Sequence, residues 1–277
     1  QAVYVLMAHV AVCNVRQILG GLAATALSRS FFPRLIHSSC FSRGMVSIGN
    51  HVLRDEEVKG AVFDVDGTLL DTMPLFLPSW VVAGALPEFQ LHCPEDDFYA
   101  CAGKPLSDIV RFLHMKQKGV QPTDEYIASF LKAKLEAHEK IQAERPHPPP
   151  IDCVVKLARE FLSRGVPMAI ATSGLKELVV PHLQHGGVLD LVSPEHMVFA
   201  SDVKQGKPHP EIYLEAARRI GVDPRDCRAF EDGESGLQSA WAAGMHVIDV
   251  TYMEGYPAPE ALLKAKEVQV KERSWLQ

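Results

Sequence analysis

The stretch Val62-Phe63-Asp64-Val65-Asp66-Gly67-Thr68-Leu69-Leu70-Asp71-Thr72 narrows the choice of fold more than any other part of the chain. Val58, Ala61, Val62 and Phe63 make a short apolar run of strand type. The run stops on a carboxylate, a second carboxylate two residues on, and a glycine. Side chains at i and i+2 of a strand face the same side, so Asp64 and Asp66 are expected to point together where the strand ends. Adjacent carboxylates repel unless a cation or a proton is shared between them. A divalent ion is the simplest remedy, and Mg²⁺ is the usual one for a few carboxylates beside a phosphate. An acidic turn beside a glycine is the plainer alternative. A calcium loop is disfavoured, because it wants glycine at position six and glutamate at position twelve, and the twelfth residue here is Leu75.

After residue 150 the chain alternates helix and strand patterns over short links, which predicts a parallel sheet wrapped on both faces. Ile151 to Arg164 reads as a helix and Val166 to Ala171 as a buried strand. Thr172-Ser173-Gly174 follows at that strand's end, with a helix from about Leu175. A hydroxyl and main-chain N–H groups at a helix start can cradle a phosphate, although such a tripeptide is more often a turn with a cap. Met197 to Ala200 is another short strand, and Gly206-Lys207-Pro208-His209-Pro210-Glu211 then opens a helix through Arg219. A lone lysine is normally a solvated charge, but the prolines fix the main chain around Lys207. Cys227 to Phe230 is a strand ending in Glu231-Asp232-Gly233-Glu234-Ser235-Gly236, a second acidic pair before a helix, and His246 to Val250 is the last strand. Ligand sites of open α/β sheets lie at such strand ends.

Between the first strand and this alternating half lie roughly 70 residues of helical character. Met73 to Leu86 is apolar and interrupted by Pro74 and Pro78, which predicts a helix that is short or starts near Pro78. Leu106, Ile109, Val110 and Leu113 recur at helical spacing, and Thr123-Asp124-Glu125 starts a helix to about Ala143. Pro146 to Pro150 reads as a stiff spacer or hinge.

Four pieces in order, Asp64-x-Asp66-Gly-Thr-Leu-Leu-Asp-Thr, Thr172, Lys207-Pro-x-Pro and Glu231-Asp232, resemble the haloacid dehalogenase-like hydrolases over about residues 58–250. The resemblance implies a doubly wound, Rossmann-like α/β core at 55–72 and 146–277, with a small all-helical cap at 73–145. It implies a Mg²⁺-dependent phosphatase acting on a small phosphate monoester, a sugar or polyol phosphate, through an aspartyl-phosphate. The second half is similar to fructose-1-phosphate and hexitol phosphatases. In these terms Asp64 is the nucleophile and Asp66 the acid and base. Thr172, Ser173 and Lys207 hold phosphate, and the cap loop Gly103-Lys104 faces the substrate, a plain surface turn being the alternative for that loop. Asp64, Asp66 and Asp232 hold the metal, with Glu231 behind them. One departure is Phe76, where sugar-phosphate members and the related β-phosphoglucomutases often carry histidine. A β-phosphoglucomutase-like isomerase and a catalytically silent metal-binding scaffold are the alternative readings.

Net charge is −6 with no basic stripe, which argues against a nucleic-acid partner. The expected partner is a small phosphorylated metabolite, with the protein a monomer and not stably inserted in a membrane. Six scattered cysteines include no C-x-x-C pair, so neither a zinc site nor a disulfide framework is suggested. Residues 1–54 hold five arginines, many serines and no Asp, Glu or Lys, so 55–277 carries −11. That profile fits a leader or organelle transit segment, disordered in the working protein, and implies an intracellular protein of the mitochondrion or plastid, or otherwise of the cytoplasm.

Overall fold

A computed structural model describes residues 46–48, 52–101, 104–145 and 147–276. Its sheet holds β1 (Val46–Ile48), β2 (Gly60–Phe63), β3 (Met168–Ala171), β4 (Met197–Val198), β5 (Cys227–Glu231) and β6 (His246–Asp249). The spatial order is β1-β6-β5-β2-β3-β4. Five strands run parallel, and β1 pairs antiparallel with β6 at one edge. Val46–Ile48 lies inside the stretch 1–54 assigned to a leader. That boundary is corrected: Val46 pairs with Asp249, and Ile48 and Leu53 are buried in the core. Most of the expected leader, residues 1–45, lies outside the described residues.

β2 is central, and all four of its residues are buried, as a strand covered on both faces requires. Strand alternation sends Ala61 and Phe63, Ile170 and Phe230 to one face, and Val62, Ala169, Ala171 and Ala229 to the other. On the first face Phe63 stacks on Phe230 with ring centroids 4.6 Å apart, and Phe161 of α5 (Asp152–Ser163) meets the edge of Phe63. On the second face lie Ile212, Tyr213 and Ala216 of α7 (Glu211–Ile220) and Leu237 and Ala240 of α8 (Glu234–Ala242). The sheet is therefore wound on both sides, and every parallel strand ends toward the same rim.

The segment after β2 forms α1 (Met73–Gly84), α2 (Glu95–Ala100), α3 (Leu106–Lys118) and α4 (Asp124–Glu144). These helices share a hydrophobic cluster built around Trp80, Phe89, Phe98, Leu113 and Phe130. α1 runs straight through Pro78 instead of starting near it. Proline cannot donate to the carbonyl four residues back, and that carbonyl, Pro74 O, instead accepts from Arg145 Nη1 at 3.0 Å. The core resumes with α5, then α6 (Lys176–His185), α7 and α8. The last α-helix among the described residues is α9 (Glu260–Glu272). Its Ala261, Leu262 and Ala265 join the cluster of α1–α4.

Among the described residues no helix is long and apolar enough to cross a membrane.

Candidate active site

Asp64 is the residue after β2, and its N–H continues the ladder by donating to Phe230 O (3.1 Å). The chain then turns tightly: Gly67 N–H donates to Leu70 O, and Thr68, Leu69 and Leu70 all donate to Val65 O. Gly67 has φ +80°, and a Cβ on it would run into the Asp232 carboxylate. Two separate constraints thus demand glycine there. Gly236 plays a related part at the start of α8: the space of its missing side chain is filled by the Glu231 carboxylate.

The turn brings Asp64 and Asp66 to one cavity of about 540 Å³, which Glu231, Asp232, Lys207, Ser173 and Gly174 also line. Lys207 sits among the acids. Its Nζ donates to Asp64 Oδ1 and to Glu231 Oε1, each at 2.6 Å, and its side chain is 6% exposed. Burial alone would lower the Lys207 pKa, but the charges of Asp64 and Glu231 outweigh it and hold the ammonium above the ordinary lysine range.

Glu231 and Asp232 differ in how they are bonded. Glu231 Oε1 accepts from Lys207 and from the Tyr213 hydroxyl (3.1 Å), and its Oε2 accepts from the N–H groups of Asp232 and Gly233. Asp232 Oδ1 accepts from the Thr68 hydroxyl (3.0 Å). Burial, followed by the Glu231 charge, pushes Asp232 up to about 7. Asp64 is raised well above the carboxylate range by burial, against the pull of Lys207. Asp66 is also raised by burial, with the Thr72 hydroxyl and Lys207 opposing.

Four acids therefore surround the base of this cavity, with Lys207 bonded to two of them. Oxygens of Asp64, Glu231 and Asp232 lie within 4.8 Å of one another, all buried. Carboxylates whose pKa values are raised by burial and by one another are stabilised when a divalent cation enters, and all-oxygen donors suit a hard ion. The residues present fit such an ion, with Glu231 the least available because both its oxygens already accept two donors.

Thr172 is fully buried after β3, and its Oγ1 accepts from Gly174 N–H (3.0 Å). The cavity is lined by the next two residues, Ser173 and Gly174. Lys104 also lines the cavity, with its Nζ 5.5 Å from the Phe112 ring centroid; Gly103 lies outside the described residues. Phe76 also lines the cavity, 5.3 Å from the His138 ring.

Sequence reasoning missed Lys134 and His138 of α4, which project into the same cavity. A signal existed, because Ile127, Phe130, Lys134, Ala137 and His138 form one buried helical stripe. A lysine on such a stripe needs a reason to be there. Burial lowers the pKa of Lys134 while Asp66 works against that, and burial followed by the Lys134 charge lowers His138.

The model of the haloacid dehalogenase-like hydrolases matches residues 61–250, most of the chain. The chain belongs to that family. It is 33% identical over 199 residues to fructose-1-phosphate phosphatase YqaB of Escherichia coli, covering 70% of this chain and 97% of that protein. With hexitol phosphatase A of the same organism it shares 31% over 197 residues, covering 69% and 82%. Among solved structures, a putative β-phosphoglucomutase from Bacteroides vulgatus superposes with a TM-score of 0.57 at 23% identity, covering 79% of this chain and 90% of that one. At that identity the likeness speaks to fold alone. As a family member the chain is a hydrolase whose acidic cluster suits the divalent metal these enzymes generally use.

Proposed function

We propose that the protein is a Mg²⁺-dependent phosphatase of a sugar or polyol phosphate. The observation that carries the reading is the convergence of Asp64, after β2, Asp232, after β5, and Lys207, from the loop before α7, on one cavity that residues of α1, α3 and α4 also line. The likeness to phosphatases of fructose 1-phosphate and hexitol phosphate supports the substrate class.

Asp64, Asp232 and the main chain at Asp66 would hold the ion. When bound, Mg²⁺ supplies positive charge that offsets the repulsion between carboxylates and a dianionic phosphate. Asp64 attacks phosphorus: its Oδ–P bond forms as the ester P–O bond breaks, which divides one hard displacement into two easier ones. Asp66, more readily protonated than a free carboxyl because it is partly desolvated, gives its proton to the leaving alkoxide. It then takes a proton from the water that attacks phosphorus, breaking the Asp64–phosphorus bond and freeing phosphate. Lys207 and the N–H groups after Thr172 face the phosphate oxygens through both transition states. The wall formed by Met73, Phe76, Trp80, Lys134 and His138 excludes water and meets the leaving group.

The test is phosphate release from a panel of phosphorylated sugars, sugar alcohols, nucleotides and glycolate, with and without Mg²⁺. Turnover of sugar or polyol esters that needs the metal and disappears in Asp64→Asn is the expected result. Turnover that persists in Asp64→Asn refutes the mechanism, and preference for nucleotides or glycolate refutes the substrate class.

A further inference from the structure

α9 begins beyond Val250, where the match to the family ends. Leu262, Lys266, Gln269 and Arg273 are all buried and recur at helical spacing, so they form one stripe that changes character along its length. Its first turns are apolar and pack with α1–α4, and Gln269 Nε2 reaches Ala100 O at the end of α2 (3.5 Å). Further along, the stripe is ionic although it stays buried. Lys266 is 1% exposed, and its Nζ donates to the main-chain carbonyl of Asp232 and to Asp249 Oδ2 (3.1 Å). Arg273 donates to Glu234 Oε2 (3.0 Å) and to Asp249 Oδ2 (3.3 Å).

A buried ammonium is costly to place unless it is paired and hydrogen-bonded. Asp249 balances the charge, yet it has other donors: Arg273, and the Thr251 N–H and hydroxyl, the latter at 2.6 Å. What Lys266 adds that those donors do not is the bond to the Asp232 carbonyl. Asp232 is then gripped twice, at its carboxylate by Thr68 and at its main chain by Lys266. Two grips on one residue fix the direction in which its remaining carboxylate oxygen faces the cavity. Partners that orient a metal ligand in this way typically govern metal affinity by about 10- to 100-fold.

We infer that Lys266 is a positioning residue for the divalent cation: through it, α9 sets the main chain of Asp232, and the apolar turns of α9 tie that setting to α2. The inference rests on the metal-dependent reading above. Its role is to orient Asp232, without touching substrate.

The test uses Mn²⁺ on the full chain, with binding followed by the disappearance of the free-ion electron paramagnetic resonance signal, which needs no turnover. Lys266→Met keeps an unbranched chain and removes the donor. It is expected to weaken Mn²⁺ binding by about tenfold or more and to raise by the same factor the Mg²⁺ concentration giving half-maximal phosphate release. At saturating Mg²⁺ the substrate KM is expected to stay within about twofold, because no substrate contact is lost. Lys266→Gln, which keeps a shorter donor, is expected to fall between; should Lys266→Met not fold, an unchanged Mn²⁺ affinity in Lys266→Gln overturns the inference. A folded Lys266→Met with lowered thermal stability but unchanged Mn²⁺ affinity also overturns it, leaving a structural role. Absence of Mn²⁺ binding by the unaltered protein overturns the metal site itself, and so separates the two failures.

Discussion

Lys207→Met isolates the electrostatics of the site. Methionine keeps an unbranched stem and removes the ammonium, which lies 5.2 Å from the Tyr213 ring centroid. The lost charge sits 2.6 Å from Asp64 Oδ1 and 2.6 Å from Glu231 Oε1, and all three side chains are less than one-tenth exposed. Removing one partner from a buried pair costs about 3–5 kcal/mol, because it leaves an uncompensated buried charge. For a domain of this size each kcal/mol lowers Tm by about 2–4 °C, so a drop of roughly 6–20 °C is expected in EDTA at pH 8. The sign with pH follows from Asp64, whose carboxyl is held above its ordinary range by burial. Without Lys207 that pKa rises further, so protonation relieves the variant as pH falls, and the loss at pH 5 is smaller than at pH 8. Mg²⁺ at pH 8 is expected to recover part of the loss by replacing the missing positive charge. Circular-dichroism melts of both proteins at pH 5 and 8, with EDTA or Mg²⁺, read all four quantities. A Tm loss at pH 8 under about 2 °C, or an equal loss at both pH values, would refute the reasoning.

Other substitutions separate the remaining roles. Lys134→Ala removes a buried cation from the cavity wall proposed to meet the leaving group, so kcat/KM for the best ester is expected to fall roughly 10- to 100-fold, the worth of one hydrogen bond to a charged group, with little change on an aryl phosphate that lacks hydroxyls. Gly67→Ala places a methyl against the Asp232 carboxylate at a φ of +80°, so both Tm and Mg²⁺ affinity are expected to drop. For Asp232 the folded pKa is raised, to about 7 from 3.8, so its contribution to the stability of the metal-free protein is full below pH 3.8 and is lost as pH rises through about 7. A cation binds the ionised form, so the Tm gain on adding Mg²⁺ is expected to grow from pH 5 to pH 8, which melts at fixed Mg²⁺ would show.

The convergence of Asp64, Lys207 and Asp232 on one cavity was legible because its signals are local. Asp64 ends an apolar strand, Lys207 stands in a proline-fixed turn, and Asp232 opens a helix, so each could be placed at a strand end before any tertiary contact was known. The doubly wound core followed from the alternation of helix and strand for the same reason. What escaped notice depends on contacts between distant segments. Val46–Ile48 is three residues long and becomes a strand only because β6 offers an edge. Pro78 looked like a breaker, since the arginine that satisfies Pro74 O lies far along the chain. Lys266 reads as an ordinary surface lysine, and nothing within α9 shows that Asp249 and the Asp232 carbonyl surround its end. Lys134 and His138 fall between these cases: their helical spacing from Ile127 and Phe130 is present in the chain, but the cavity they line is not.

The central chemical claim is that the phosphoryl group passes through the Asp64 side chain. Rapid acid quench during turnover of a sugar phosphate, followed by proteolysis and mass spectrometry, looks for it there. The mechanism requires a phosphoryl-shifted peptide whose modified residue is Asp64, absent in Asp64→Asn, and accumulating in Asp66→Asn supplied with an aryl phosphate, whose leaving group needs no proton while dephosphorylation lacks its base. A phosphoryl group on another residue, or full turnover in Asp64→Asn with no modified peptide, would contradict it.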